Sequence, residues 1–288
     1  MISLLCIILL FIVYRHISRE VPILMYHRID NIPNDRNTVS PAMFEEQLRY
    51  LSNHGYTTIS LTALYDHISN KTPLPPKPVV LTFDDGYENN FTHALPLLLK
   101  YKMTATVCII SNWIGKSNDW EHYNGKPLSP TMSREQLQDW LKQGMSICAH
   151  TVSHPSLSKL DHEKIHYELA QCKAALESQL QTPVDFLCYP YGEFDDRVKA
   201  AAKQAGYKAA LAIFKDTSFW KRDVYALKRV VISSRQPLWE FALKVSPLHM
   251  LFIGIRILEY HIKQCRNQIR NVVTHIAGEK KQKNIPPQ

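Results

Sequence analysis

The sequence has few glycines, no closely spaced cysteine pair and no long apolar run. Nine glycines in 288 residues exclude a glycine-repeat architecture, and no internal repeat is visible. None of the six cysteines forms a Cys-x-x-Cys pair, which argues against a zinc ribbon or a thioredoxin-type motif. What is present is ordinary globular composition, 45% hydrophobic and 21% charged, which excludes a disordered chain.

Positive charge is concentrated near the C-terminus. The formal net charge is +8, and the stretch from Arg235 to Gln288 holds nine Lys and Arg against three Asp and Glu. A basic protein is often a nucleic-acid binder. Because the charge lies on an appendage and the remainder is close to neutral, we predict no nucleic-acid partner for the main body.

Three cysteines, Cys108, Cys148 and Cys188, lie inside apolar runs that look like strands. A free cysteine in such a run behaves as a small hydrophobic residue. Since disulfides persist in oxidising compartments, buried free thiols favour a reducing compartment for this chain.

The N-terminal segment, residues 1–20, contains an apolar run from Ile2 to Tyr14. This run is shorter than the about 20 residues that span a bilayer easily. Arg15 and Arg19 follow it, no basic side chain precedes it, and no small-residue cleavage site follows it. The pattern favours an uncleaved membrane anchor over a secretory signal. The two arginines favour the cytoplasmic face of the membrane for the downstream chain.

The C-terminal segment, residues 235–288, carries one apolar stripe at helical spacing behind Pro247 and before Gly278. Basic side chains lie off the stripe, as in helices that rest on an anionic membrane surface. The alternatives are packing onto the main domain and a coiled-coil dimer seam. The stripe consists of Leu248, Leu251, Ile255, Leu258, Ile262, Cys265, Ile269, Val272 and Ile276.

The main domain, residues 21–234, alternates short strand-like runs with helical stretches. Several runs are continuously apolar, as expected of strands that are buried on both faces. Eight strands alternating with helices predict an α/β domain built on a parallel sheet or a (β/α) barrel. The predicted strands cover residues 23–27, 56–59, 79–83, 104–110, 146–150, 185–189, 208–213 and 227–232.

Polar or turn-forming residues follow four of these strands. His27 ends the first run, Asp84 and Asp85 follow the third, and His150 ends the fifth, with His154 just beyond it. In barrels, functional residues gather at the carboxyl ends of the strands. The sixth run ends in Tyr189, Pro190, Tyr191 and Gly192.

One carboxylate and two imidazoles in this set suggest a metal site formed by Asp85, His150 and His154. Three protein ligands leave positions open for water and substrate, which is typical of a catalytic metal. Zinc suits this ligand set, and cobalt, nickel or ferrous iron suit it too.

Asp84 is then free to act as a base toward water, and a histidine is the natural acid for an amine leaving group. Each motif alone has an ordinary explanation: Asp-Asp-Gly and Tyr-Pro-Tyr-Gly often form turns, and His27 alone is more often a buried histidine with a hydrogen-bond partner. Their joint placement at strand ends favours function.

Three segments of the chain resemble the first three motifs of the polysaccharide deacetylase family, also called carbohydrate esterase family 4 or the NodB-homology family. The segments are TFDDGY (82–87), HTVSHPSL (150–157) and YPYG (189–192). The resemblance implies a distorted (β/α) barrel that removes acetyl groups from N-acetylated sugars. Carried over by position, it implies that Asp84 is the base and that Asp85, His150 and His154 hold the metal.

The YPYG motif would contribute to substrate binding through all four residues, and the backbone N–H of Tyr191 would stabilise the tetrahedral oxyanion.

Two departures from the family pattern concern the groups that assist the base and the leaving group. The third motif usually begins with an arginine that orients the base, and here that position is Cys188. Arg229, in LKRVVI, is a candidate substitute. The usual late histidine motif is also missing, while PILMYHRI (22–29) is similar to the opening of the circularly permuted branch, which includes the poly-N-acetylglucosamine deacetylases. On that basis His27 is the general acid.

The sequence therefore predicts a metal-dependent N-deacetylase that acts on N-acetylhexosamine units of a membrane-proximal glycan or glycolipid. One alternative is a family member that binds glycan without catalysis, which the Cys188 departure suggests. A second alternative is an O-acetyl esterase on the same scaffold.

Overall fold

The computed structural model describes residues 20–119, 128–213, 223–250, 253–255, 258–264 and 266. Its strands are short, parallel and alternate with helices, as the sequence predicts. All eight predicted strands are found, and the last is divided in two. The strands are β1 (Ile23–Tyr26), β2 (Arg28–Ile29), β3 (Thr38–Val39), β4 (Thr57–Thr58), β5 (Pro78–Phe83), β6 (Thr106–Ile109), β7 (Ser146–Ala149), β8 (Phe186–Cys188), β9 (Ala209–Ala212), β10 (Leu227–Lys228) and β11 (Val230–Val231).

The main sheet curls into a nearly closed barrel. Its strand order is β10-β9-β8-β7-β6-β5-β1-β11, with β4 added beside β5. The two ends of this order, β10 and β11, are consecutive in the chain and flank Arg229. β10 pairs with β9, and β11 pairs with β1. The segment 227–231 therefore bridges the two edges of the sheet, and the predicted (β/α) barrel is confirmed.

Helices cover the outside of the barrel, and local capping explains where several of them begin. The side chains of Ser40, Ser133, Asp161 and Asp195 each accept a hydrogen bond from a backbone N–H in the first turn. Ser133 also forms a capping box with Gln136. The α-helices are α1 (Pro41–Asn53), α2 (Leu61–Asn70), α3 (Leu95–Lys100), α4 (Arg134–Lys142), α5 (His162–Leu180), α6 (Asp196–Gln204) and α7 (Leu238–Val245).

The core has two layers, because each strand presents alternate side chains to opposite faces of the sheet. Leu81 and Phe83 of β5 belong to the larger layer, which lies between the barrel and the helices. Val80 belongs to the smaller layer, which also includes Cys108, Cys148 and Cys188.

Two of the cysteines predicted to be free are joined. Cys108 on β6 lies directly opposite Cys148 on β7 in the parallel register, and their sulfurs form a disulfide. The prediction was wrong because strand register, which the sequence does not reveal, brings the two side chains together. Cys188 is free and buried. The cysteines thus no longer favour a reducing compartment.

The first part of the C-terminal segment packs on the barrel. Phe241 and Val245 of α7 are buried, and the Lys244 ammonium donates hydrogen bonds to the Val231 carbonyl and to Gln236. The described residues after α7 are mainly helical from position 249 onward. Met250 and Ile253 of this stretch are buried.

The predicted apolar stripe is exposed where the structure describes it. Leu248, Ile255, Leu258 and Ile262 have between 41% and 60% of their surface exposed. The alternative in which the stripe packs on the main domain is therefore wrong at these positions. Among the described residues, no helix combines the length and hydropathy needed to cross a bilayer. The predicted N-terminal anchor lies outside the described residues.

Candidate active site

The polar residues that follow the strands lie at one end of the barrel. Asp84 and Asp85 come directly after β5, His150 comes directly after β7, and the turn Pro190–Gly192 comes soon after β8. Because these strands are parallel, their carboxyl ends share one edge of the barrel. Sequence and topology together thus place these groups on one surface.

Asp85, His150 and His154 converge on a common point. The Asp85 Oδ1 atom lies 3.4 Å from Nε2 of His150 and 3.5 Å from Nε2 of His154, and the three donor atoms lie within 4.8 Å of one another. All three side chains are buried. One carboxylate and two imidazoles at this spacing fit a divalent cation with open coordination positions.

The two imidazoles differ in how readily they bind a proton. His150 Nδ1 lies 2.8 Å from the Cys188 carbonyl oxygen. A carbonyl only accepts, so Nδ1 carries a hydrogen, and Nε2 is the atom that faces Asp85. Burial alone would lower the pKa of His150, but Cys188 and the hydrogen bond to Asp85 outweigh it and raise the pKa well above its usual value. A metal that binds at Nε2 must therefore displace a proton. Burial, reinforced by the charge of His150, lowers the pKa of His154 to about 4, so this ring is neutral at pH 7. A neutral imidazole is the form that binds metal.

Asp84 is held by a two-pronged ion pair inside the barrel. The Arg229 Nη1 atom donates to Asp84 Oδ1 at 2.6 Å, and Nη2 donates to Oδ2 at 2.8 Å. Burial alone would raise the pKa of Asp84, but the charge and hydrogen bonds of Arg229 outweigh it and hold the pKa below its usual value. The Cys188 thiol also lies 3.6 Å from Oδ1. Oδ2 keeps a second lone pair, so the ionised group can still accept a proton.

Arg229 reaches Asp84 because it occupies the junction of β10 and β11, where its side chain is 1% exposed. Its Nη2 atom also lies 3.1 Å from the Cys188 sulfur. The guanidinium therefore contacts both the carboxylate and the residue that stands where the family usually has its arginine.

His27 follows β1, which is paired with β5. It lies close enough to contribute to the lowered pKa values of both Asp84 and Asp85. Its Nδ1 atom is buried and makes no hydrogen bond within the described part of the chain. His27 is thus near the two carboxylates, although it is outside the cluster formed by Asp85 and the other two histidines.

The turn after β8 places one aromatic ring at the surface. Tyr191 has φ +58° and 56% of its surface exposed, and its ring centroid lies 4.7 Å from that of His154. A Cβ added to Gly192, which has φ +63°, would lie 2.2 Å from the Ile213 side chain, so only glycine fits.

The other three residues predicted to contact substrate in this turn present no exposed side chain. Tyr189 is 1% exposed, its ring stacks on Phe194, and its hydroxyl donates to the Tyr225 carbonyl. Pro190 is also buried. These residues shape the turn, and of the four predicted contact residues only Tyr191 presents an exposed side chain.

A buried hydrogen-bond network beside the site was not predicted from the sequence. Arg28, the residue after His27, donates to the Tyr87 hydroxyl at 2.6 Å and pairs with Asp35 at 3.0 Å. It thereby ties the segment after Asp85 to the loop after β2. Both Arg28 and Tyr87 lie inside the motifs quoted above, and an arginine within an apolar run is the signal that would have drawn attention to them.

Comparisons with known proteins agree with this geometry. The family model described as polysaccharide deacetylase matches residues 71–210. A Bacillus subtilis protein named as a polysaccharide deacetylase, YxkH, is 29% identical over 214 residues, 74% of this chain and 72% of its own. The Staphylococcus aureus poly-beta-1,6-N-acetyl-D-glucosamine N-deacetylase is 26% identical over 205 residues, 68% of each chain.

A solved structure is similar over most of the barrel. The Bacillus anthracis protein BA0330, also named as a polysaccharide deacetylase, superposes with a TM-score of 0.65 at 30% identity. The match covers 79% of this chain and 69% of the other.

Proposed function

Since this chain belongs to the polysaccharide deacetylase family, we propose that it is a metal-dependent hydrolase that removes N-acetyl groups from N-acetylhexosamine units of a glycan. The observation that supports this most is the convergence of Asp85, His150 and His154 beside the Asp84–Arg229 ion pair. The name of the Staphylococcus aureus relative makes a poly-N-acetylglucosamine the first substrate to test.

Asp85, His150 and His154 would hold the metal, with Zn²⁺ as the first candidate and Co²⁺, Ni²⁺ or Fe²⁺ as others. When bound, the metal supplies Lewis-acid polarisation of the acetyl carbonyl and acidifies water.

The chain's own residues would carry the protons. Asp84 accepts a proton from the attacking water, using a lone pair that Arg229 leaves available. The C–N bond breaks as His27 donates a proton to the departing amine, which leaves poorly unless protonated. The backbone N–H of Tyr191, presented by the left-handed turn, donates to the oxyanion.

The direct test is acetate release by the full chain supplied with Zn²⁺ or Co²⁺. We expect release from an N-acetylated glucosamine oligosaccharide and loss of release on chelation. Replacing His27 with alanine should slow amide cleavage by about 10²–10⁴-fold and slow cleavage of an O-acetyl ester much less, because an alkoxide leaves more readily than an amine.

The other outcomes separate the alternatives. Equal losses on amide and ester would contradict the role of His27. Cleavage of the ester alone would favour an O-acetyl esterase, and metal binding without any acetate release would favour a glycan-binding protein.

We further propose that the chain attaches to a membrane at the end of the barrel opposite the site. Glu20, which follows the apolar N-terminal run, borders a cavity of about 680 Å³ together with Pro78 at the start of β5 and Val245 at the end of α7. The exposed apolar residues Leu248, Ile255, Leu258 and Ile262 follow α7 in the chain.

This orientation favours a polymer as the substrate. The six residues of β5 span about 20 Å at strand geometry. With β5 along the membrane normal, the site would stand about that far from the bilayer, within reach of a polymer that extends from the surface.

Vesicle binding tests the attachment. The basic C-terminal segment should give the full chain a preference for anionic phosphatidylglycerol vesicles over neutral phosphatidylcholine ones. Replacing Leu258 and Ile262 with aspartate should abolish this preference, whereas Leu99→Asp, at an exposed leucine of α3, should leave it intact. An unchanged preference in the double variant would contradict the proposed surface.

A further inference from the structure

The loop 150–154, which carries both imidazoles, contains two residues in an unfavourable backbone conformation. Thr151 and His154 have φ values of +69° and +63°. The left-handed region is unfavourable for non-glycine residues, and most of all for a β-branched residue such as threonine. Such positions persist only where surrounding contacts enforce them. Two such contacts come from the segment after β6, where the backbone N–H groups of Ser111 and Asn112 donate to the Thr151 and Val152 carbonyls.

Glu168 of α5 supplies three more such contacts from beneath the loop. Its Oε2 atom accepts hydrogen bonds from the backbone N–H groups of Val152 at 2.8 Å and Ser153 at 2.9 Å. Its Oε1 atom accepts from the Ser153 hydroxyl at 2.6 Å. Glu168 is only 7% exposed. Its carboxylate thus gives an acceptor to three hydrogen-bond donors of the loop between His150 and His154.

The loop adds one bond of its own. The backbone N–H of His154 donates to the Thr151 hydroxyl at 2.9 Å. This bond closes the loop locally, but it does not connect the loop to the rest of the barrel. The Glu168 bonds join it to α5, whose packing on the barrel is fixed by buried residues such as Ile165, Leu169 and Cys172.

We propose that Glu168 is a positioning residue that holds the loop 150–154 in the conformation that places both imidazoles on Asp85. A carboxylate is suited to this task because it only accepts, and all three groups that face it are donors. A glutamine of the same shape brings an NH₂ group that cannot accept, so at least one donor in the loop loses its partner. The inference rests on the proposed metal site.

The test compares Glu168→Gln with Glu163→Gln, the same substitution at an exposed glutamate in the first turn of α5. The readout is the dissociation constant of Co²⁺ or Zn²⁺, measured by competition with a chelator on the full chain. Loss of a residue that supports metal ligands typically weakens metal affinity about 10–100-fold. We expect a loss of that size in Glu168→Gln and none in Glu163→Gln.

Hydrogen exchange gives a readout that does not need metal. The amides of Val152 and Ser153 should exchange faster in metal-free Glu168→Gln than in the unchanged chain. If that variant does not fold, Ser153→Ala removes one of the three bonds and should give a smaller loss of affinity in the same direction.

Two results overturn different claims. A variant that melts at lower temperature but binds Co²⁺ with unchanged affinity would show that Glu168 only stabilises the fold, and our inference would fail alone. If the unchanged chain binds neither Co²⁺ nor Zn²⁺, the proposed function fails first, and the inference falls with it.

Discussion

Replacing Asp84 with asparagine is expected to lower acetate release by about 10²–10⁴-fold, the usual contribution of a positioned general base. The amide has no free carboxylate to take a proton from water. The ligand cluster of Asp85, His150 and His154 is untouched, so metal affinity should stay within a few-fold of that of the unchanged chain. Single-turnover acetate release and metal competition measure the two quantities separately.

Asp139→Asn is a matched control, because it removes an exposed carboxylate on α4 that pairs with Lys142. This control should leave both quantities unchanged. Full acetate release by Asp84→Asn would refute the role of this carboxylate, even if the metal site is correct.

Replacing Arg229 with methionine is expected to lower the free energy of unfolding by about 3–5 kcal/mol, because it leaves the buried Asp84 carboxylate without its partner. Arg229 and Asp84 are 1% and 5% exposed in their side chains, so water cannot take over the lost contacts. The free energy of unfolding is measured by denaturant titration of the metal-free chain. The same loss of partner should impair catalysis, since both carboxylate oxygens are oriented by this guanidinium.

A double-mutant cycle isolates the pair from general damage to the core. When Asp84 is already asparagine, Arg229→Met should cost clearly less than it does beside the ionised carboxylate. Equal costs in both backgrounds would mean that Arg229 stabilises the barrel through packing and not through Asp84.

The strands and the location of the site follow from local features of the sequence. Continuous apolar runs such as VVLTF indicate strands buried on both faces, and the residues after them must lie at one edge of a parallel barrel. That is why Asp85 and His150 could be placed together without coordinates.

Features that depend on register or on tertiary contact could not be found this way. Cys108 faces Cys148 only because β6 and β7 pair in one register. Tyr189 and Tyr191 are two residues apart, yet the left-handed turn buries the first and exposes the second. Glu168 is one of several acids in α5, and no spacing in the sequence distinguishes it from an exposed one.

The central claim is that one carboxylate and two imidazoles hold a single divalent cation beside a second carboxylate, Asp84, that does not bind it. Titrating the full chain and its Asp85→Ala, His150→Ala and His154→Ala variants with Co²⁺, while following the visible absorption of the bound ion, tests it most directly. We expect one ion per chain and a large loss of affinity in each variant. Binding of unchanged affinity and spectrum in these variants would place the ion elsewhere and contradict the account.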